Sequence, residues 1–238
     1  MNMNFRIEKI VRYSAILLAF VAVMSFSACS RIPNLTPNEK GGYVNGKTNV
    51  VYYPAPDCYE AKYYITEEAV ALNDGVEFFA VDGVEDEKWL YSPDFGILLY
   101  AEGEKLPTLA ELQSNLLSIR LDDGGISKTV SDVEDSAKIS EILKAYENGE
   151  TLEYPGKRAN YKFDLKFYSE QYPWIVYTLM FVQYGEDLVL NVKGEDGEIK
   201  QINYGKNFIY NRAEDRFVVI GDELQKYIDD YYHNPDAE

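Results

Sequence analysis

The chain has 238 residues, with 40 Asp and Glu against 23 Lys and Arg, which gives a formal net charge of −17 at pH 7. Proteins that bind nucleic acid neutralise its phosphates with clustered Lys and Arg, so this balance argues against a nucleic-acid partner. Hydrophobic residues make up 46% of the chain, which excludes an acidic disordered tail.

The first 28 residues have the features of a secretory signal peptide. Basic Arg6, Lys9 and Arg12 precede an apolar run at residues 15–24, and small residues follow. A membrane-spanning helix needs roughly 20 apolar residues, so this run is too short to be a good anchor by itself. Removal of residues 1–28 would leave 20 basic and 39 acidic residues and a net charge of −19.

The end of this segment, Phe26-Ser27-Ala28-Cys29, resembles the lipobox of bacterial lipoproteins, in which an aliphatic residue and two small residues precede a cysteine. Phe26 stands where that family usually has Leu, Val or Ile. The resemblance implies that the Cys29 thiol receives a diacylglyceryl group, with fatty acids such as palmitate, and that cleavage makes Cys29 the N-terminus. Two acyl chains suffice for stable anchoring, so the resemblance implies a lipid-anchored protein on the extracytoplasmic face of the cell membrane. Ordinary secretory cleavage near Ala28 is the alternative.

Residues 29–49 are predicted to be the lipidated cysteine and a flexible tether. The segment holds two prolines and three glycines and shows little apolar periodicity. A flexible coil of this length spans roughly 25 Å. Acylation of Cys29 would leave Cys58 without a disulfide partner, and no His or basic neighbour lowers its pKa, so a buried structural cysteine is favoured over a reactive thiol.

Residues 50–125 are predicted to form a β-rich unit of short strands separated by turn residues, at 59–65, 76–81, 88–91, 96–101 and 118–121. Thr108 and Glu111 have the spacing of a capping box, which predicts a short helix over residues 109–115.

Residues 126–233 show clearer periodicity. Ser131 and Glu134 again have capping-box spacing, and apolar residues recur at helical spacing until Gly149, which predicts a helix. Residues 161–167 alternate apolar with charged side chains and predict a strand with one wet face, whereas residues 174–184 are almost wholly apolar and predict a central strand covered on both faces.

Two hairpins are predicted to follow, 188–193 with 198–203 and 207–210 with 216–220, before a terminal helix and a tail at residues 234–238. These elements predict an α+β fold in which antiparallel sheets pack against a few helices. The sequence is compatible with a single unit or with two small units, and in the second case the boundary is expected at about residue 125, in the polar stretch 122–131. The general plan resembles small uncharacterised lipoproteins of Gram-positive bacteria, a resemblance of pattern without a motif.

Catalytic and metal-binding patterns are sparse, and we expect no cofactor and no metal. The only histidine, His233, is the sixth residue from the end, where a catalytic base is rarely held rigidly. One histidine and one spare cysteine cannot form a tetrahedral zinc site. The acid-rich segments 82–87 and 122–125 could supply oxygen ligands to calcium, but neither fits the EF-hand spacing, so solvated turns are favoured.

The 21 tyrosines, with adjacent pairs at residues 52–53, 63–64 and 231–232, suit either recognition of a ligand or sheet packing, and packing is favoured. The function that the sequence favours is a non-enzymatic envelope module that binds a protein, peptide or wall component, with its acidic surface selecting a cationic partner. The alternative is a secreted hydrolase with two carboxylates of dissimilar environment in a cleft. A solute-binding protein of a transporter is less favoured, because about 190 residues after the tether are few for its two-lobed form.

Overall fold

β-Strands are the main secondary structure of the protein. The computed structural model describes residues 32–62, 66–123, 126–193 and 197–233, and is 45% strand against 12% helix. The predicted α+β class is therefore wrong. The prediction failed because several strands in the first half have only three or four residues, which is too short for a two-residue alternation to stand out.

The first sheet has seven strands in the order β1-β2-β3-β8-β7-β6-β5. They are β1 (Leu35–Pro37), β2 (Tyr43–Asn45), β3 (Val51–Pro54), β5 (Ala71–Asn73), β6 (Val76–Ala80), β7 (Trp89–Ser92) and β8 (Ile97–Ala101), whereas β4 (Tyr59–Ala61) joins another sheet. The two edge strands meet, because Asn34 bridges Leu72 in parallel and Asn73 Nδ2 donates to the Leu35 carbonyl oxygen at 2.8 Å. The sheet thus nearly closes around a small apolar core.

The strands β1 and β2 lie within the stretch predicted as a tether. They pair antiparallel, with Leu35 opposite Asn45, and both of these side chains are buried. Asn45 Oδ1 also accepts hydrogen bonds from the backbone N–H groups of Lys47 and Thr48, which fixes the turn into β3. The prolines and glycines that suggested a coil belong to the turns and strand ends of a paired segment.

The second sheet has the order β10-β9-β12-β13-β16-β17-β11, and β4 pairs with part of β13. Its strands are β9 (Leu116–Asp123), β10 (Ile126–Val133), β11 (Thr151–Leu152), β12 (Tyr161–Tyr168), β13 (Ile175–Gln183), β16 (Asn207–Asn211) and β17 (Arg216–Ile220). A separate hairpin consists of β14 (Val189–Lys193) and β15 (Ile199–Asn203). The boundary proposed at residue 125 falls between β9 and β10, which pair antiparallel.

Two α-helices occur in the described residues, α1 (Ser136–Asn148) and α2 (Gln225–His233), both close to where the sequence predicts them. The N-cap of α1 is Asp135, which accepts from the N–H groups of Ala137 and Lys138, whereas the predicted cap Ser131 lies in β10. The helix predicted at 109–115 is a single turn, although Glu111 does make capping-box bonds to Thr108.

The second sheet is covered on both faces. Side chains of α1 and α2 pack on one face in the largest core cluster, together with Cys58, Tyr59 and Trp89 from the first half of the chain. The other face carries a second cluster, against which the β14–β15 hairpin packs. The prediction of a central strand covered on both faces is confirmed for β13. Within the described residues, no helix combines the length and apolarity needed to cross a membrane.

Candidate functional site

A pocket opens where β13 changes its pairing partner. Along one edge, β13 pairs first with β4, at Ile175–Tyr177 in the register, and then with β16, from Met180 onward. Between these two stretches the Thr178 N–H donates to the Cys58 carbonyl oxygen at 2.7 Å. The cavity at this junction has a volume of about 110 Å³, and we call it the acidic pocket; its lining residues are Asp57, Cys58, Glu60, Asp164, Thr178, Leu179, Met180, Tyr210 and Arg212.

Glu60 is the best-anchored carboxylate of the acidic pocket. Its Oε2 accepts from Lys166 Nζ at 2.7 Å, and its Oε1 accepts from Thr178 Oγ1 at 2.9 Å. The register explains this contact, because Lys166 on β12 lies opposite Thr178 on β13, and Glu60 on the next strand lies opposite Val176. The Lys166 and Glu60 side chains are 19% and 31% exposed, so this ion pair is partly shielded from solvent.

The pocket keeps an excess of negative charge. Three carboxylates line it, those of Asp57, Glu60 and Asp164, against the single guanidinium of Arg212. Lys166, which is not among the lining residues, contacts Glu60 and offsets part of this excess. Fixed charges of one sign in a concave site attract a ligand of the other sign, so the pocket is complementary to a small cationic group.

A buried polar chain lies behind Cys58, which is one of the residues that line the acidic pocket. Asn211 Nδ2 donates to Tyr177 OH at 2.9 Å, and the Tyr177 side chain interacts with the Cys58 thiol. The Tyr59 ring meets the Tyr177 ring edge-on at 4.9 Å, and Tyr59 OH donates to the Pro107 carbonyl oxygen. Burial raises the pKa of the Cys58 thiol, and the interaction with Tyr177 offsets this only in part. Cys58 is buried, as predicted, and its protonated thiol is a poor nucleophile.

The other residues singled out in the sequence do not converge on this pocket. Cys29 and the pair at residues 63–64 lie outside the described residues. His233 is the last residue of α2, and its side chain lies outside the described part. Tyr52 is buried inside the first sheet while Tyr53 reaches outward, the alternation expected of adjacent tyrosines in a strand.

The acid-rich segments contribute no metal site that can be described. Residues 85–87 form a short 3-10 turn, and the 122–125 segment lies partly outside the described residues. Among the side chains that the structure does describe, no three or more His, Cys, Asp or Glu are grouped to hold a metal ion.

Sequence reasoning missed Glu60, Asp164 and Arg212, which are brought together from three distant parts of the chain. Asp164 carried a weak signal, as a charged residue on the wet face of a predicted strand. No family model, no curated protein and no solved structure matches this chain.

Proposed function

We propose that the protein is a lipid-anchored protein of the cell envelope that binds a cationic group of a protein, peptide or wall component in the acidic pocket, without catalysing a reaction. The observation that carries this proposal is the excess of carboxylates in a concave site at a strand junction. A primary ammonium or a guanidinium group is the ligand chemistry that such a site favours.

The size of the acidic pocket favours binding over hydrolysis. Its volume of about 110 Å³ is well below the roughly 300–1,000 Å³ of sites that enclose a whole small molecule. The space suits the end of one side chain, and it is small for a sugar chain together with an attacking water. Both Glu60 oxygens are engaged, by Lys166 and Thr178, which makes this carboxylate a poor proton carrier.

Binding in the acidic pocket is tested with a short lysine-containing peptide and its acetyl-lysine counterpart, by calorimetric titration. The charged peptide should bind more tightly, and rising salt should weaken its binding. Asp164→Asn removes one lining charge and should lower affinity about tenfold, a loss of about 1.4 kcal/mol. Glu77→Gln removes an exposed carboxylate from β6, outside the pocket, and should leave the affinity unchanged. Equal affinity for both peptides would contradict the proposal.

The membrane anchor is supported by the lipobox-like sequence that ends at Cys29. Cys29→Ser should move the protein from the membrane fraction to the soluble fraction, because the thiol that carries the lipid is lost. Cys58→Ser is the matched control, since it removes the other cysteine and leaves Cys29 in place. A Cys29→Ser protein that still fractionates with membranes would contradict lipid anchoring without bearing on the acidic pocket.

A further inference from the structure

A second concave surface runs along the free edge of β14, on the face of the second sheet that the β14–β15 hairpin covers. One wall consists of Glu153, Tyr154, Pro155 and Lys157, the other consists of four consecutive β14 residues, 190–193, and Tyr204 also lines it. We call it the β14 groove. Its volume of about 450 Å³ lies within the roughly 300–1,000 Å³ that is typical of ligand sites.

The segment that forms the wall opposite β14 is held by its own contacts and does not pair with β14. The Tyr154 ring stacks on the Tyr210 ring at 4.5 Å with an interplanar angle of 4°, and Tyr204 OH donates to the Glu153 carbonyl oxygen at 3.0 Å. Pro155 has no N–H to donate to a strand, and Gly156 follows it with a φ of +61°. This segment therefore stays apart from β14 and does not form a ladder with it.

The edge of β14 presents backbone groups to the groove. Within the described residues β14 pairs with β15 alone, and Tyr204 N donates to the Leu188 carbonyl oxygen. In an antiparallel pair the bonded positions alternate, so the backbone N–H and C=O groups of Val189, Asn191 and Lys193 point away from β15. Such a row of outward-facing groups is a template for one more strand.

The side chains around this edge determine which peptide side chains the β14 groove can accept. Leu190 and Val192 pack toward the core, whereas Val189 is 43% exposed. Lys157 and Lys193 outnumber Glu153 in the walls, an excess of positive charge on a body that is otherwise strongly acidic. An acidic side chain on an incoming segment would meet this local charge favourably.

We propose that the β14 groove binds an extended peptide that carries an acidic residue, and that the peptide adds to β14 as a strand. The backbone of the peptide bonds to Val189, Asn191 and Lys193, and its side chains on one face contact Tyr154 and Pro155. Main-chain hydrogen bonds supply the affinity in this mode, and the walls of the groove supply the preference between side chains. The proposal is independent of the acidic pocket and of the lipid anchor.

A proline scan of the two hairpin edges tests the proposal. The probe is a fluorescent five-residue peptide of alternating Val and Thr with a central Asp, followed by fluorescence anisotropy. Asn191→Pro deletes an N–H that faces the groove and is not used in pairing with β15, and should weaken binding at least about tenfold. Gln201→Pro is the matched control, because Gln201 lies directly opposite Asn191 and its N–H faces the other edge of the hairpin. It should leave binding unchanged, and thermal melts should show that both variants are folded.

Four further measurements separate the possible outcomes. The Lys157→Glu/Lys193→Glu double variant should bind the acidic probe more weakly than wild type does, and it should bind a probe with Lys in place of Asp more tightly. Asp164→Asn, in the acidic pocket, should leave binding of this probe unchanged. The proposal is overturned if the wild-type protein does not bind the probe, if a backbone N-methylated probe binds equally well, or if Asn191→Pro binds like wild type. A dimer in sedimentation analysis that Asn191→Pro abolishes would assign the edge to a second copy of the chain instead.

Discussion

Asn211 and Tyr177 meet in the core beside the acidic pocket, 34 positions apart in the sequence, where Asn211 Nδ2 donates a 2.9 Å hydrogen bond to Tyr177 OH. Asn211 is only 1% exposed. Its Oδ1 accepts from the backbone N–H groups of Ala213 and Glu214, so the same side chain also fixes the turn between β16 and β17. This one amide joins a turn to the central strand.

Replacement of Asn211 should therefore be costly. Asn211→Ala leaves the Tyr177 hydroxyl without its donor and frees the turn, and we expect the free energy of unfolding to fall by about 1–3 kcal/mol in urea titrations. Asn203→Ala is the control, because Asn203 is exposed and its Oδ1 accepts only from Gly205 N in the described structure. Equal losses in the two variants would mean that the buried amide contributes nothing beyond its turn.

The paired state of residues 35–45 gives a second prediction. Leu35 is 2% exposed and packs with Tyr52, Phe78 and Leu90 inside the first sheet. Leu35→Ala should lower the free energy of unfolding by about 2–5 kcal/mol, the usual cost of a leucine removed from a core. Thr36→Ala, at an exposed neighbouring position in β1, should change it little. A tether without structure would make the two variants equally harmless, so urea titration of both decides between the alternatives.

The parts of the fold that could be predicted are those with strong local patterns. The alternating β12, the apolar β13 and the stripes of α1 and α2 have a periodicity that shows within eight or more residues, and the late hairpins are marked by polar turns between their five-residue strands. In the first sheet, β6, β7 and β8 lie close to where turn residues predict strands, whereas β1 lacks a local signal because it is stabilised by contacts to Leu72 and Asn73, far along the chain. β10 was missed because an edge strand with one exposed face carries mostly Ser, Thr, Lys and Asp.

The acidic pocket lay beyond sequence reasoning for a related reason. Glu60 contacts Lys166 and Thr178 across separations of 106 and 118 residues. The contact forms because β4 pairs with β13 in the second sheet, although the strands next to β4 in the sequence belong to the first sheet. No local pattern indicates which sheet a three-residue strand joins. The burial of Cys58 could be predicted, because a cysteine without basic neighbours is usually a small apolar core residue.

Buried tyrosines should make the protein unstable at alkaline pH. Burial, with a smaller contribution from Glu87, raises the pKa of Tyr52 to about 12, and burial also raises the pKa values of Tyr59, Tyr177 and Tyr184. In the unfolded chain these phenols lose their protons near pH 10, so above that pH the unfolded state binds fewer protons than the folded state. Stability should hold below about pH 10 and fall as the pH rises toward about 12. Urea titrations at a series of pH values, with tyrosinate absorbance as a second signal, measure this.

Tyr52→Phe is the variant that assigns this effect. It removes a phenol that is buried and donates to the Glu87 carbonyl oxygen at 2.9 Å, so it should lower stability at neutral pH and make the alkaline decline shallower. Tyr161→Phe, at a ring that is 39% exposed, is the comparison and should leave the slope unchanged. A slope that stays the same in Tyr52→Phe would show that Tyr52 does not contribute to the alkaline transition.

The Cys58 thiol should react slowly although it lines the acidic pocket. Its side chain is 5% exposed, and burial raises its pKa, so little thiolate is present at neutral pH to attack an alkylating reagent. In a Cys29→Ser background, where Cys58 is the only thiol, labelling with iodoacetamide should be at least about tenfold slower in buffer than in urea, as followed by mass spectrometry. Tyr177→Phe removes the hydroxyl whose interaction lowers the pKa of Cys58, so labelling of the folded variant should slow further. Faster labelling of folded Tyr177→Phe protein would mean that the Tyr177 hydroxyl shields the thiol and does not activate it.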